Sequence, residues 1–411
     1  MKAYRLATDA KIELFGDPVG EALIQNQTLR EHQRIAVERA GAELVEVSRA
    51  ADIPADEPYL SFPDDLYLSW GILKDFLEQA RRTPEVPRIL ALSRNRLAED
   101  LAVTQDAVLT AEHLLYPVRY AIPGSKKEPT PLLIDVQDGL ALRRKMPTHV
   151  YPPGEMTTYL TGKSILQIIT PVHVHMANMI SILNRCADWK PKGLVGLLIR
   201  LGTHLAKKRG PRPKQDEEIP RALPRAFYKY LKRMNQIGQN CDIHPSAIIE
   251  GSVIGDNVRI GANCYLQFCH IGDNADIGPE CCLLSSIIGH DTRLVTREWV
   301  SMSVVYPGCF FAPRYIQFGL VGRDAQVFPS MYFDYRLDGK PIQTWFRGQL
   351  VDAKTFFLGP IIGHRAKVAG GLTLVAGRMI PNGVTVYPNE STLVSRVPLD
   401  LPEGSILRAG S

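Results

Sequence analysis

A chain of 411 residues that is 45% hydrophobic and 22% charged has material for two or three domains with their own cores, which excludes general disorder. The formal net charge of +5 is unevenly spread. Between Lys190 and Arg233 thirteen Lys or Arg face only Asp216, Glu217 and Glu218, so the rest of the chain sums to −5 and does not describe a nucleic-acid-binding surface. Seven cysteines, odd in number and without CxxC spacing, imply reduced thiols and a cytoplasmic protein, and no run approaches the ~18 apolar residues of a membrane span.

From Met1 to about Arg119 short β-like runs alternate with helical ones. Strands are expected at Ala3–Leu6, Glu43–Val47, Tyr59–Phe62 and Ile89–Leu92, and helices at Leu29–Ala40 and Ile72–Ala80, the latter apolar at 72, 73, 76, 77 and 80. This alternation predicts a parallel α/β sheet. Asp64 and Asp65 follow directly on the strand at Tyr59–Phe62, and ligands of such sheets gather at the carboxyl ends of strands. Two adjacent carboxylates at that place are candidate Mg²⁺ ligands, because hard cations take oxygen donors. Further along, TPVHVHMAN reads as a strand that would place His173 and His175 on one face, which suits a metal, but no third ligand can be named and packing is the expected role.

The middle segment joins an amphipathic helical stretch, Leu194–Lys208, to the Pro-rich, charged run Arg209–Pro220, a linker on composition. An apolar face with a basic end fits packing between domains, and it also fits peripheral membrane contact through 194–214.

The last 170 or so residues carry an internal repeat. Aliphatic-Gly pairs followed by four small or polar residues recur from Ile254, Ile260, Ile271, Ile277, Ile288, Val321 and Ile362, and Ile254, Ile271, Ile288 and Val305 are each 17 residues apart. One coil is thus three short sides: a triangular parallel β-helix, with Leu266, Leu283 and Val300 on the third side and glycines at corners too tight for a side chain. The pattern breaks between about 328 and 359, where the insert YFDYRLDGKPIQTWFRGQLVDAKTFFLG is expected to project as a functional loop. Arg336, Asp338, Lys340, Arg347 and Arg365, in and just after it, are candidate substrate contacts, the cations for phosphates. His290 and His364 each follow an aliphatic-Gly pair and are candidate general bases pointing outward just past a corner.

Two stretches carry a resemblance. Thr28–Val47, with its AGA turn, and Pro58–Leu77, with its strand ending in Asp64, resemble the nucleotidyltransferase domain of sugar-1-phosphate nucleotidyltransferases. Some members append a hexapeptide acyltransferase domain, to which FDYRLDGK followed by IIGHRAKVAGGLTLVAGRMIPNG is similar. The resemblance implies an α/β N-terminal nucleotidyltransferase-like domain over 1–189, a basic connector over 190–240, and a left-handed parallel β-helix over 241–411 that forms a homotrimer. It implies Asp64, with Asp65 beside it, as the Mg²⁺ ligand. Acyl-CoA is implied as a second co-substrate, a nucleotide sugar or sugar phosphate as partner, and loop residues around Asp334 as the acyl-transfer site. Two departures are visible. LATDAKIELFGDPVGEALI has no glycine-rich, Arg-bearing phosphate loop, and Asp334 stands where the family has asparagine. The expectation is a sugar-nucleotide-related transferase with weak or absent nucleotidyl transfer, the alternative being a non-catalytic trimeric scaffold or sugar-nucleotide sensor.

Overall fold

The computed structural model describes residues 1–54, 56–93, 104–137, 140–148, 154–189, 231–336 and 338–389. The expected basic connector, with its helix, linker and membrane contact over 194–214, lies almost wholly outside the described residues. The chain divides into two compact units, Met1–Met234 and Asn235–Ser411.

The first unit is built on β1 (Lys2–Leu6), α1 (Leu29–Arg39), β2 (Glu43–Val47), β3 (Tyr59–Pro63), α2 (Trp70–Ala80), β4 (Arg88–Ser93), β5 (His113–Ala121), β6 (Thr130–Leu133) and α3 (Pro171–Asp188). Every strand and helix expected up to Leu92 is present, within two residues at each end. Both helices begin on caps that the sequence supplies: Thr28 Oγ1 accepts the N–H of Glu31 at 3.2 Å, and Ser69 Oγ that of Ile72 at 3.4 Å. The apolar stripe of α2 buries Ile72, Leu73, Phe76, Leu77 and Ala80 in a core shared with Leu60, Phe62 and Leu90 of the sheet.

The sheet runs β6-β4-β5-β3-β1-β2. It is mixed, which corrects the expectation of an all-parallel sheet: β1 pairs parallel with β2 and β3, and β6 with β4, but β5 is antiparallel to both its neighbours. That strand lies between β4 and β3 and runs against both.

His173 and His175 lie on α3, not on a strand. The apparent period of two in VHVHM is overridden by Pro171 at the start of the helix and by buried positions 174, 177, 178, 181 and 182, which follow helical spacing. Residues two apart on a helix do not share a face, so the suggested pair is not a metal site.

The second unit is the triangular β-helix that the 17-residue period implies, the architecture of the left-handed hexapeptide solenoids. Two sheets of eight strands and one of five, all parallel, form its sides. Ile254, Ile271, Ile288 and Val305 stack in register on the first side, Ile260, Ile277 and Leu294 on the second, and Leu266, Leu283 and Val300 on the third. All are buried in one continuous core. The corner glycines are required by close approach: a Cβ on Gly272 would lie 2.5 Å from the backbone nitrogen of His290 in the next coil. The β-helix takes its first rung from Gln236–Ile237, ahead of Cys241.

The cysteines are buried or half-buried free thiols, as their spacing suggested. Several fill the corners, where Cys241, Cys264, Cys269, Cys281 and Cys309 each donate to a carbonyl of the following coil at 3.1–3.2 Å. Ser286 and Thr292 make the same bond at 3.2 Å, and Val258, Ala275 and Ala325 fill equivalent corners with no donor, so a small buried side chain is what the corner takes and the sulfur is incidental.

Candidate functional site

In the first unit β1 is flanked by β2 on one side and by β3 on the other, so the connection from β1 to β2 and the one from β2 to β3 run in opposite directions across the sheet. The carboxyl ends of β1 and β3 therefore lie side by side at the switch point of strand order, the place where open α/β sheets hold ligands. Thr8 follows one strand and Asp64 and Asp65 follow the other.

The two carboxylates differ. Asp64 Oδ1 accepts from the backbone N–H and the hydroxyl of Thr8, at 3.1 and 2.5 Å, which ties the two strand ends together. Asp65 is buried; its Oδ2 accepts from Gln167 Nε2 at 2.7 Å, and its Oδ1, also buried, has no hydrogen-bond partner. Burial raises the Asp65 pKa to about 6 against the opposing Gln167 hydrogen bond, with the negative charges of Asp64 and Asp106 adding to the rise. An orphaned, desolvated carboxylate oxygen is a costly feature that a cation or a hydroxyl donor would relieve. Among the described residues no group of three or more His, Cys, Asp or Glu could enclose a metal. The arrangement fits a cation that takes most of its ligands from a bound phosphate or from water.

Side chains that sequence reasoning missed hold this turn in place. Gln33 on α1 donates to the carbonyls of Asp64 and Leu66, at 2.9 and 2.8 Å, and its own carbonyl accepts from Arg5 at 3.1 Å. Arg5, buried on β1, also pairs with Glu46 of β2. On the far side Gln105 Oε1 accepts from Tyr116 and from the backbone of Gln167, at 3.1 and 3.0 Å, and Asp106 donates its N–H to Gln167 Oε1 at 2.6 Å. One signal was legible: Gln33 sits on the apolar stripe Leu29–Gln33–Ala36–Val37, and a polar residue there must have a buried partner.

The segment in the place of the phosphate loop is packed down. Ile12, Phe15 and Val19 are buried, and the chain closes on itself through Ile12 N–H to Asp17 O at 2.8 Å and Val19 N–H to Ala10 O at 3.0 Å. Several of its N–H groups are thereby used within the fold, which leaves fewer to cradle phosphates.

In the second unit His290 and His364 occupy equivalent corner positions in a ladder of side-chain acceptors. Gln239 N–H donates to Asp256 Oδ1 at 2.7 Å, Asp256 N–H to Asp273 Oδ1 at 2.8 Å, and Asp273 N–H to His290 Nδ1 at 2.9 Å. Higher up, Arg323 N–H donates to His364 Nδ1 at 2.8 Å and His364 N–H to Asn382 Oδ1 at 2.8 Å. Each imidazole thus accepts at Nδ1 where its neighbours use a carboxylate or amide, and in the neutral ring that leaves the proton on Nε2. His290 is partly exposed; His364 is buried, stacked on Tyr306 at 5.9 Å, and so does not point into solvent as expected.

The insert starts later than its sequence suggests, because Met331–Tyr332 still forms a side of the coil and pairs with Thr373–Leu374. Beyond it the chain makes a hairpin, Gln343–Phe346 against Gln349–Asp352. The root is clamped by aromatic contacts: Phe357 stacks on Phe318 at 5.5 Å and meets Tyr335 at 6.0 Å. Asp334 is half-buried there, its pKa raised by burial, and its carbonyl accepts the N–H of Leu358 at 2.9 Å. Arg336 Nε donates to Asp338 at 2.8 Å, and this pairing holds the Asp338 carboxyl down at about 2. Arg347 lies over the Phe346 ring at the hairpin tip, Lys340 is exposed, and Arg365 is exposed in a left-handed corner conformation with φ 56°. Asp334, Arg336, Asp338, Lys340 and Arg347 all lie in the insert, where Arg336 and Asp338 are in contact, and Arg365 lies on a coil that follows it.

Residues 232–328 match the model of a family described as the GMPPB C-terminal domain. No curated protein matches the chain. Among solved structures, the polysialic acid O-acetyltransferase OatWY is 19% identical, covering 37% of this chain and 74% of its own, with a TM-score of 0.16. The H141A mutant of GDP-perosamine N-acetyl transferase from Caulobacter crescentus, solved with CoA and GDP-perosamine, is 14% identical, covering 51% of this chain and 86% of its own, with a TM-score of 0.17. Over residues 232–328, the opening coils of its β-helix, the chain is thus similar to the C-terminal domain that this family model describes.

Proposed function

We propose that the chain is a sugar-nucleotide-related transferase whose N-terminal site receives a nucleotide sugar or a sugar phosphate. The observation that carries this reading is the unpartnered, buried Oδ1 of Asp65 beside Asp64 at the switch point of the sheet. The family match of the second unit supports the same substrate class. Asp64 and Asp65 would hold Mg²⁺, which when bound neutralises phosphate charge. Gln33 and Thr8 fix the turn on which both carboxylates stand, and Gln167 orients Asp65. Nucleotidyl transfer at this site is slow, because the packed Ile12–Val19 loop supplies few preorganised phosphate donors. Acyl transfer from acyl-CoA is the second chemistry of the reading, with Asp334, Arg336, Lys340, Arg347 and Arg365 as contacts, and the working assembly is a homotrimer.

The ladder role of His290 and His364 favours a second reading, a non-catalytic scaffold or sugar-nucleotide sensor, because a ring whose Nδ1 is occupied and whose Nε2 carries the proton cannot act as a base without breaking its corner bond. Full-length protein incubated with a nucleoside triphosphate, a sugar 1-phosphate and Mg²⁺, and separately with acetyl-CoA and a nucleotide sugar, separates the two. Product in either mixture supports the transferase. Binding of the nucleotide sugar without product in both supports the sensor.

A further inference from the structure

The outer faces of the three β-helix sheets differ in kind. On the second sheet the outward row Asp242, Arg259, Asp276, Arg293 alternates in charge, with Asp276 3.9 Å from Arg259 and 3.6 Å from Arg293, a run suited to water, and only at the next rung does an exposed aromatic, Phe310 beside Phe328, take its place. On the first sheet the outward Ile287, Val304, Leu320 and Ile361 are already buried. On the third sheet Ile248, Tyr265, Cys282, Trp299 and Tyr315 stand one above another in register. Met331 follows on the next coil. This row is apolar and open: Ile248 is 45% exposed, Trp299 48%, Tyr315 42% and Met331 59%.

We infer that the third face is where a second copy of this chain docks. A contiguous apolar stripe on a soluble protein marks an interaction site, and its aromatic and Met content without Lys or Arg is the composition of an interface core. The polar groups beside it have hydrogen-bond partners within the fold. Glu250 is buried and accepts from Tyr265 Oη at 3.0 Å and Gln267 Nε2 at 3.1 Å, and Tyr315 Oη donates to Gln317 at 2.6 Å. At ~4.8 Å per rung the six residues span about 24 Å. A standard interface of about 800 Å² per partner, drawn as a square, has sides of about 28 Å. The repeat also selects the occupant: a rigid surface with the same rung spacing can match every ridge at once, and a second copy of this chain has that spacing by construction.

The inference rests on the homotrimer proposed above, and its test separates the two. The mass of the full chain is measured by sedimentation equilibrium for the parent, for Trp299→Glu with Tyr315→Glu, for Met331→Lys, whose site is too exposed to be needed for folding, and for the second-face control Arg259→Ala. The face is supported if the parent and control are assembled while the double variant, with unchanged far-ultraviolet circular dichroism, dissociates at least ~30-fold more readily, as loss of a hot-spot aromatic implies. Cys282 should then react with maleimide in the variant and be protected in the parent. If the double variant and Met331→Lys keep the parent's mass, the face is wrong and the trimer stands. If the parent is a monomer, both fail.

Discussion

Asp273 donates its backbone N–H to Nδ1 of His290, one coil further on, at 2.9 Å, just as Asp256 donates its N–H to Oδ1 of Asp273 at 2.8 Å. An imidazole nitrogen and a carboxylate oxygen thus do the same work at one corner of the β-helix. His290→Asn or His290→Asp should therefore leave thermal stability within ~0.5 kcal/mol, whereas His290→Ala, which leaves the Asp273 N–H without its acceptor, should cost about 1 kcal/mol. Thermal unfolding of the three variants checks this, and equal losses in all three would refute the ladder role.

His173 gives the first unit a pH dependence. It is buried, Nδ1 accepts the N–H groups of Ile169 and Thr170 at 3.2 Å each, Nε2 lies 3.0 Å from Thr104 Oγ1, and burial lowers its pKa to about 4. A pKa depressed from ~6.5 means that the native state binds fewer protons than the unfolded chain between those values, so stability is present above pH ~6.5 and is lost as pH falls towards 4. The loss should reach about 3 kcal/mol. Melting temperatures from pH 7.5 to 4.5 should fall in the parent and fall less in His173→Gln.

Glu298 works in the opposite sense. It is buried at a corner of the second unit, Oε2 accepts the N–H of Arg314 at 2.5 Å, and burial raises its pKa to about 7. A raised carboxylate pKa means stability present below the unfolded value and lost as pH rises through 7. Glu298→Gln keeps an acceptor for Arg314 and removes the charge, so at pH 8 it should stabilise by about 1 kcal/mol, allowing for partial solvent screening, and at pH 4 by little. A variant no more stable than the parent at pH 8 would show that the carboxylate is solvated.

In the insert, Arg336 and Lys340 are the cations assigned to a phosphorylated ligand. Arg336→Ala with Lys340→Ala should leave the melting temperature nearly unchanged, because exposed charges contribute little to stability, and should weaken binding by about 1.5–3 kcal/mol per lost charge-assisted bond. Calorimetry with a nucleotide sugar and with acetyl-CoA reads this out, and unchanged affinity for the ligand that the parent binds would remove both residues from the site.

How much was legible follows from the range of each interaction. The 17-residue period fixes which side chains face inward, so the stacks through Ile271, Leu266 and Ile277 could be read directly. The onset of the insert could not, because Pro329 and Ser330 disguise a coil side whose partner, Thr373–Leu374, lies beyond the excursion. Asp64 and Asp65 were legible as strand-end acids. Their different fates were not, because Thr8 and Gln167, which set them apart, come from 56 and 102 residues away. His173 and His175 misled because alternation over five residues is shared by a strand and by the buried start of a helix.

The N-terminal site itself is tested most directly by equilibrium binding of UDP-, GDP- and dTDP-sugars to the full chain and to Asp65→Asn, with and without Mg²⁺. At least one nucleotide sugar should bind the parent and raise its melting temperature in proportion to ligand excess over Kd. Its affinity should be strengthened by Mg²⁺ and should drop ~10-fold or more in Asp65→Asn, whose own fold is kept by the Gln167 contact. Binding that ignores both Mg²⁺ and Asp65→Asn, or no binding of any nucleotide sugar by the parent, would contradict the assignment of this site.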